Sequence, residues 1–448
     1  MTDYRDFYRE LRADWLQLRS YIFDSNTGLP ALPAILDGVR RRLERGEVLG
    51  VLYVDPAGGG HLEESCGWQA YDRMLRMVGE RLQNFQRDHL SAADQMAMAG
   101  VRSDEFILFV QLEEGETKTR RLEALRRTLT QLLREPFETR LDGGLQSKAI
   151  FSVAALPLEV LPTVRVERSI YQAADRARSR CRRESELRLS GRRHELRRML
   201  EKGDVVLRFQ PIVELDHGRV HGFEALTSAP HDEVFENPET LFSFAEESGA
   251  IIDLERLCRR QATLRGAPLL GSDDFSGGGK LFINCSPHTF ADPDLAVDLV
   301  RGAVEAGLSP GQLVVEVTER AAITEWNSFR QALEDMRRAG LSVAIDDMGS
   351  GYSSLHAVAE IEPDYLKFDA TLIRDVHSTP IKRDLLETLV VLARKIGAIS
   401  LAEGIETKEE LQAVRDMGVG YGQGFFFATP CPPEDMGEIY FPSGLEAR

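Results

Sequence analysis

The sequence predicts two successive α/β units, a smaller mixed α+β domain followed by an eight-stranded β/α barrel. Two observations carry the barrel. After Val205 helical stretches repeatedly stop at a glycine and pass straight into an apolar run, as at Gly307, Gly340, Gly397 and Gly418. Glycine just past a helix end supplies the left-handed turn, and the apolar run that follows reads as the next parallel strand. The second observation is that run after run ends in an acid, an amide or a lysine. In order these are Glu224, Asn284, Glu316 with Glu319, Asp346 with Asp347, Lys367, Glu403 with Glu406, and Gln423. In a β/α barrel the C-terminal strand ends share one rim, so these residues would converge there.

At 448 residues the chain exceeds one ordinary core, and two to three domains are expected. Lys and Arg total 55 against 72 Asp and Glu, a net charge of -17, which disfavours a general DNA or RNA surface. Cys66, Cys181, Cys258, Cys285 and Cys431 are scattered without a C-x-x-C pair, so neither a disulfide framework nor a zinc site is indicated. No apolar run approaches the roughly 20 residues of a membrane helix. A reducing cytoplasm is the expected setting.

Residues 1–23 form the first element. Tyr4, Tyr8, Leu11, Trp15, Leu18 and Ile22 mark a heptad seam, which reads either as a helix docked on its own domain or as a short coiled coil joining two protomers. Residues 24–183 follow with mixed α and β pattern. VLGVLYVD (48 to 55) and DEFILFV (104 to 110) read as strands, and YDRMLRMVGERL (71 to 82) as an amphipathic helix. Residues 184–200 belong to an arginine-rich stretch without aromatic residues for base stacking, which reads as a solvated connecting helix. Residues 201–448 hold the barrel. Within it, residues 324 to 339 read as a helix with Trp326, Phe329, Leu333 and Met336 on one face.

Singly, each rim residue has an ordinary explanation, such as a helix N-cap or a surface ion pair. Asp346 and Asp347 are harder to dismiss, because adjacent like charges on a buried rim repel unless cations neutralise them. The ordered set resembles the EAL family of cyclic di-GMP phosphodiesterases. The signature is Glu224-Ala225-Leu226, preceded by Gln210-Pro211-Ile212-Val213. After it come Asn284-Cys285-Ser286, Glu316-Val317-Thr318-Glu319, the run from Asp346 to Ser354, Lys367-Phe368-Asp369, Ala402 to Thr407, and Gln423-Gly424-Phe425.

The resemblance implies a (β/α)8 fold and hydrolysis of cyclic di-GMP to linear pGpG with two divalent cations, Mg2+ or Mn2+. Glu224, Asn284, Glu316 and Asp346 would hold one ion, and Asp346, Asp347 and Glu403 the other. Lys367 would orient the attacking water, Glu403 would serve as candidate base, and Gln423 would hold a water. Glu319 and Glu406 would support the rim and the loop beginning at Asp347. Gln210 and Asp369 are further candidates for substrate contact or support. Family members usually carry arginine, a phosphate grip, where this chain has Ser228; that departure bears on substrate binding more than on chemistry. The alternative implied by such departures is a non-hydrolysing cyclic di-GMP receptor that signals to a protein partner.

The N-terminal segment resembles a GGDEF diguanylate cyclase domain through Asp24 to Leu29 and through Ala174-Asp175-Arg176-Ala177. Its signature is degraded to Arg102-Ser103-Asp104-Glu105-Phe106, with side chains where glycines let backbone approach GTP phosphates. The segments expected to bind metal and guanine are also altered, at Ala57 to Gly60 and at Glu63-Glu64. An inactive domain that dimerises or regulates, with at most residual GTP binding, is expected.

Overall fold

A computed structural model describes residues 22–56, 63, 67–101, 103–112, 117–135, 151–230, 234–235, 237–271, 278–318, 326–349 and 355–436. The heptad seam of the first helix therefore lies outside the described residues, except Ile22. The chain divides into two compact units, Met1–His194 and Glu195–Arg448.

The first unit is built on a four-stranded antiparallel sheet of order β2-β3-β1-β4. Its strands are β1 (Val48–Asp55), β2 (Gln95–Met98), β3 (Phe106–Leu112) and β4 (Ser152–Pro157). Alternation along β1 divides the core, because successive side chains leave opposite faces. Leu52 and Val54 pack with Met74, Val78, Leu122 and Leu129 from helices α2 (Trp68–His89) and α3 (Thr117–Arg134). Leu49, Val51 and Tyr53 pack on the other face with Leu32, Val39, Ala173 and Cys181. These come from α1 (Leu32–Glu44) and from α4 (Val166–Lys202). The arginine-rich stretch thus continues one 37-residue helix, and its first turns belong to the core of this unit.

The second unit is a closed barrel whose strands neighbour one another in the cyclic order β10-β11-β12-β5-β6-β7-β8-β9. They are β5 (Val206–Glu214), β6 (Val220–Ser228), β7 (Lys280–Cys285), β8 (Leu313–Thr318), β9 (Ser342–Met348), β10 (Tyr365–Phe368), β11 (Ile399–Ala402) and β12 (Tyr421–Gly422). β6 to β12 run parallel, but β5 pairs antiparallel with both β6 and β12. This departs from the uniform rhythm the sequence predicts. The connection from Glu214 to Val220 turns at Gly218 and is a hairpin, far too short for the crossover that parallel strands need.

Outside the strands lie α5 (Pro238–Glu247), α6 (Ile251–Gly266), α7 (Leu295–Glu305), α8 (Trp326–Arg338), α9 (Leu355–Ile361), α10 (Ala370–Ile373), α11 (Pro380–Ile396) and α12 (Lys408–Asp416). The four glycines that end helices in the sequence pattern all adopt φ between 79° and 81°. That is the left-handed conformation anticipated for them.

Ile212, Phe282, Val314, Ala344, Tyr365 and Leu401 form a buried cluster inside the barrel. His221 packs beside it, its ring 4.3 Å from that of Tyr421 and its Nε2 3.0 Å from the Tyr365 hydroxyl. Burial, followed by the Lys280 charge, depresses its pKa to about 4, against only a small opposing pull from Glu214. Unfolded His221 takes a proton near its ordinary 6.5 and folded His221 only near 4, so the unfolded state binds more protons between those values. Stability should therefore be lost as pH drops through that window, by up to about 1.4 kcal/mol per unit from this group. Denaturant melts from neutral to acid pH should show His221→Phe losing that part of the slope; identical slopes in both proteins would remove His221 as the cause.

Candidate active site

The strand ends bring Glu224, Glu316, Asp346 and Glu403 together around Lys367. Its side chain is fully buried, and Nζ lies 2.5 Å from Glu316 Oε1, 2.7 Å from Glu403 Oε1, 3.1 Å from Asp346 Oδ1 and 3.7 Å from Glu224 Oε2. One ammonium thus faces four carboxylates. Among the described residues neither Nζ nor either Glu316 oxygen has an aligned hydrogen bond, so these contacts are ion pairs by distance. Local register explains the gathering. Asn284 and Glu316 sit opposite each other on β7 and β8, Thr318 opposes Asp346, and Glu403 follows the last residue of β11.

The electrostatics follow from burial. Desolvation, then the Glu224 charge, pushes the enclosed Glu316 carboxyl well above its ordinary range. Glu403 is raised too, by burial and then by Asp346, although 17% of its side chain is exposed and its desolvation is correspondingly less complete. For Lys367 burial acts to lower the pKa, but Asp346, Glu224, Glu316 and Glu403 together hold it well above the usual lysine value.

Amides close one side. Gln423 Nε2 donates to Glu224 Oε2 at 2.6 Å and to Gln210 Oε1 at 2.9 Å, and Asn284 Nδ2 donates to Glu224 Oε1 at 3.1 Å. Gln210 in turn donates to the Ala428 carbonyl. On the other side, ligand oxygens of Asp346, Asp347 and Glu403 lie within 4.8 Å of one another, and Asp347 has a φ of 60°. A buried carboxylate whose oxygens lack hydrogen bonds among the described residues, beside this hard-oxygen cluster, fits a hard divalent cation rather than a softer metal.

The remaining candidates are placed differently. Asp369 caps α10, accepting from Thr371 N at 2.8 Å. Glu406, expected to support the rim and the loop beginning at Asp347, pairs with Arg374 at 2.6 Å, and residues 350–354 of that loop lie outside the described residues. Glu319 and Arg102 lie outside the described residues. Ser228 ends β6, four residues beyond Glu224 and therefore on the same strand face, about 13 Å further along at ordinary strand rise.

Glu410 was missed. Its buried carboxylate accepts from the backbone of Asp375, Glu406 and Thr407 and so ties down the loop after Glu403. The signal was present, since Thr407-x-x-Glu410 is a capping box before an amphipathic helix.

A family model of the EAL domain matches residues 193–430, more than half of the chain. The chain belongs to the EAL-domain family. This EAL protein is 29% identical over 432 residues to the cyclic di-GMP phosphodiesterase NbdA of Pseudomonas aeruginosa, a match covering 92% of this chain and 53% of that one. To the cyclic di-GMP phosphodiesterase PdeR of Escherichia coli it is 26% identical over 429 residues, 91% of this chain and 62% of the relative. It therefore spans only about half to three-fifths of the length of these relatives. The EAL domain of FimX from Xanthomonas citri, solved with c-di-GMP, is similar at a TM-score of 0.50 and 22% identity, over 56% of this chain and 97% of that one, which shows the shared fold. Among the described residues no helix is long and apolar enough to cross a membrane.

Proposed function

We propose that the EAL domain hydrolyses one phosphodiester bond of cyclic di-GMP, giving linear pGpG. The observation that carries this reading is the convergence of Glu224, Glu316, Asp346 and Glu403 on the single Lys367 ammonium, a buried excess of negative charge that calls for cations. Glu224, Asn284, Glu316 and Asp346 would hold one divalent ion, and Asp346, Asp347 and Glu403 a second. When bound, the two ions supply charge neutralisation at the phosphate and a nucleophile at neutral pH.

The protein's own groups do the rest. Glu403, held near Lys367, is placed to take the proton of the attacking water, while Lys367 orients that water. The hydroxyl goes to phosphorus as the bond to the ribose oxygen breaks, and that oxygen takes a proton from solvent water, with the proton on Glu403 returning to solvent. Gln423 and Asn284 fix the carboxylate of Glu224, so its oxygens need no reorganisation during reaction. Turnover of cyclic di-GMP by purified protein with Mn2+ tests the reading; absence of pGpG with saturated binding would favour a receptor.

The N-terminal unit is proposed to be an inactive cyclase-like module that dimerises or regulates. Supporting this, Glu105 is tied to Arg178 at 2.8 Å and to Ser103 at 3.2 Å, and Asp104 accepts from Tyr71 at 3.2 Å, so both signature acids are taken up internally. The same assay run with GTP should give no cyclic di-GMP.

Ser228 stands where relatives usually grip a phosphate. Ser228→Arg should add a charge-assisted contact worth roughly 1.5–3 kcal/mol, lowering KM by about tenfold or more while kcat stays within a few-fold. Steady-state kinetics decide, and an unchanged KM in a folded variant would show that other contacts hold the phosphate.

A further inference from the structure

Outside the barrel, α6 and α7 enclose a cavity of about 330 Å³. It is lined by four guanidinium groups, those of Arg256, Arg259, Arg260 and Arg301, with Thr263 and Gly302. A helix docked on a barrel ordinarily buries an apolar stripe. α6 buries such a stripe at Leu254, Cys258 and Ala262 and, next to it, a polar ridge at Glu255, Arg259 and Thr263.

Arg259 is the centre of this ridge. Only 5% of its side chain is exposed. Nη1 pairs with Glu255 at 3.1 Å and approaches the Cys285 sulfur at 4.0 Å, on the strand end that also carries Asn284. Its Nη2 is buried and has no hydrogen-bond partner among the described residues. An orphaned charged donor at such depth costs free energy unless a ligand satisfies it.

Each of the four arginines has a carboxylate partner. Asp298 is shared by Arg256 and Arg301 at 3.2 and 3.3 Å, Arg256 also holds Asp292 at 2.8 Å, and Glu305 is 3.6 Å from Arg260. Of these acids only Asp298 and Glu305 line the cavity with the four arginines, while Asp292 and Glu255 pair with Arg256 and Arg259 from outside its wall. Gly302 lies mid-helix in α7, where glycine costs about 1 kcal/mol relative to alanine. A Cβ there would meet nothing within 4 Å, so packing does not demand the glycine and its absent side chain leaves the cavity open.

We propose that this cavity is a binding site for a dianionic phosphate group, as the free ion or on a small phosphate monoester. Planar guanidinium forks match tetrahedral oxyanions bidentately, and the volume falls at the small end of ligand pockets, larger than a bare ion requires. The site is separate from the rim and independent of the hydrolytic reading, since binding is measured without turnover.

Calorimetric titration of the full chain in metal-free, low-salt buffer with inorganic phosphate and with glycerol 1-phosphate is the test. One saturable site per chain is expected. Gly302→Leu, which fills the cavity and leaves every charge in place, should weaken it at least about tenfold, as should the surface pair Arg260→Glu with Arg301→Glu. Tighter binding of glycerol 1-phosphate identifies a monoester as occupant, and equal or weaker binding identifies the free ion. No saturable binding of either probe up to about 10 mM, or an affinity unchanged in either folded variant, overturns the proposal.

Discussion

Alanine at Glu224, Asp346 or Glu403 is expected to cut cyclic di-GMP hydrolysis by more than about a thousandfold while leaving the barrel folded. Each carboxylate lies within 3.7 Å of the Lys367 ammonium, so each removal takes away a proposed cation ligand and part of the charge pattern around the reacting phosphate. The fold should survive for a physical reason. Four acids share one buried lysine, and deleting one relieves repulsion among the rest while Lys367 keeps three partners. Melting temperature in metal-free buffer should accordingly stay level or rise. Kinetics and melting together test this, and more than a tenth of wild-type activity in any of the three would sink the assignment of that residue.

Lys367→Met should destabilise the metal-free protein by about 3–5 kcal/mol, because it leaves buried carboxylates without their counter-charge. The loss should shrink at lower pH. Glu316 already has a strongly raised pKa and takes up a proton more readily than an ordinary glutamate, which cancels part of the uncompensated charge. Mn2+ should restore much of the stability by binding only the folded rim, with the gain growing as the logarithm of its concentration. Thermal melts of the variant with and without Mn2+ measure this apart from any turnover. A variant as stable as wild type without metal, or one that Mn2+ fails to rescue, would contradict a cation site at Lys367.

Local chemistry made much of the barrel readable. The glycines at 307, 340, 397 and 418 announce helix ends because only a residue without Cβ adopts positive φ without strain, and their backbone angles match. VLGVLYVD forms β1 over the residues read from its apolar run, and the 71 to 82 helix lies within α2. The acids, amides and lysine at the ends of the barrel runs were visible as a set because strand ends in one closed sheet must meet at one rim. Glu410 was also within reach, since a capping box spans only four residues.

Other features could not be read from neighbouring residues. The antiparallel β5 depends on a hairpin whose sequence does not separate it from another loop of the barrel. Gln423 reaches Glu224 across 199 residues, Arg178 reaches Glu105 across 73, and His221 meets Tyr365 across 144. The sequence by itself determined which residue types stand at the strand ends, because periodicity and turn chemistry act over a few residues. Only the tertiary structure decided that Lys367 sits amid four carboxylates and that Arg259, beside a cavity, has a nitrogen without a hydrogen-bond partner among the described residues. Those outcomes depend on barrel closure and helix docking, which set distances between groups that the chain order leaves far apart.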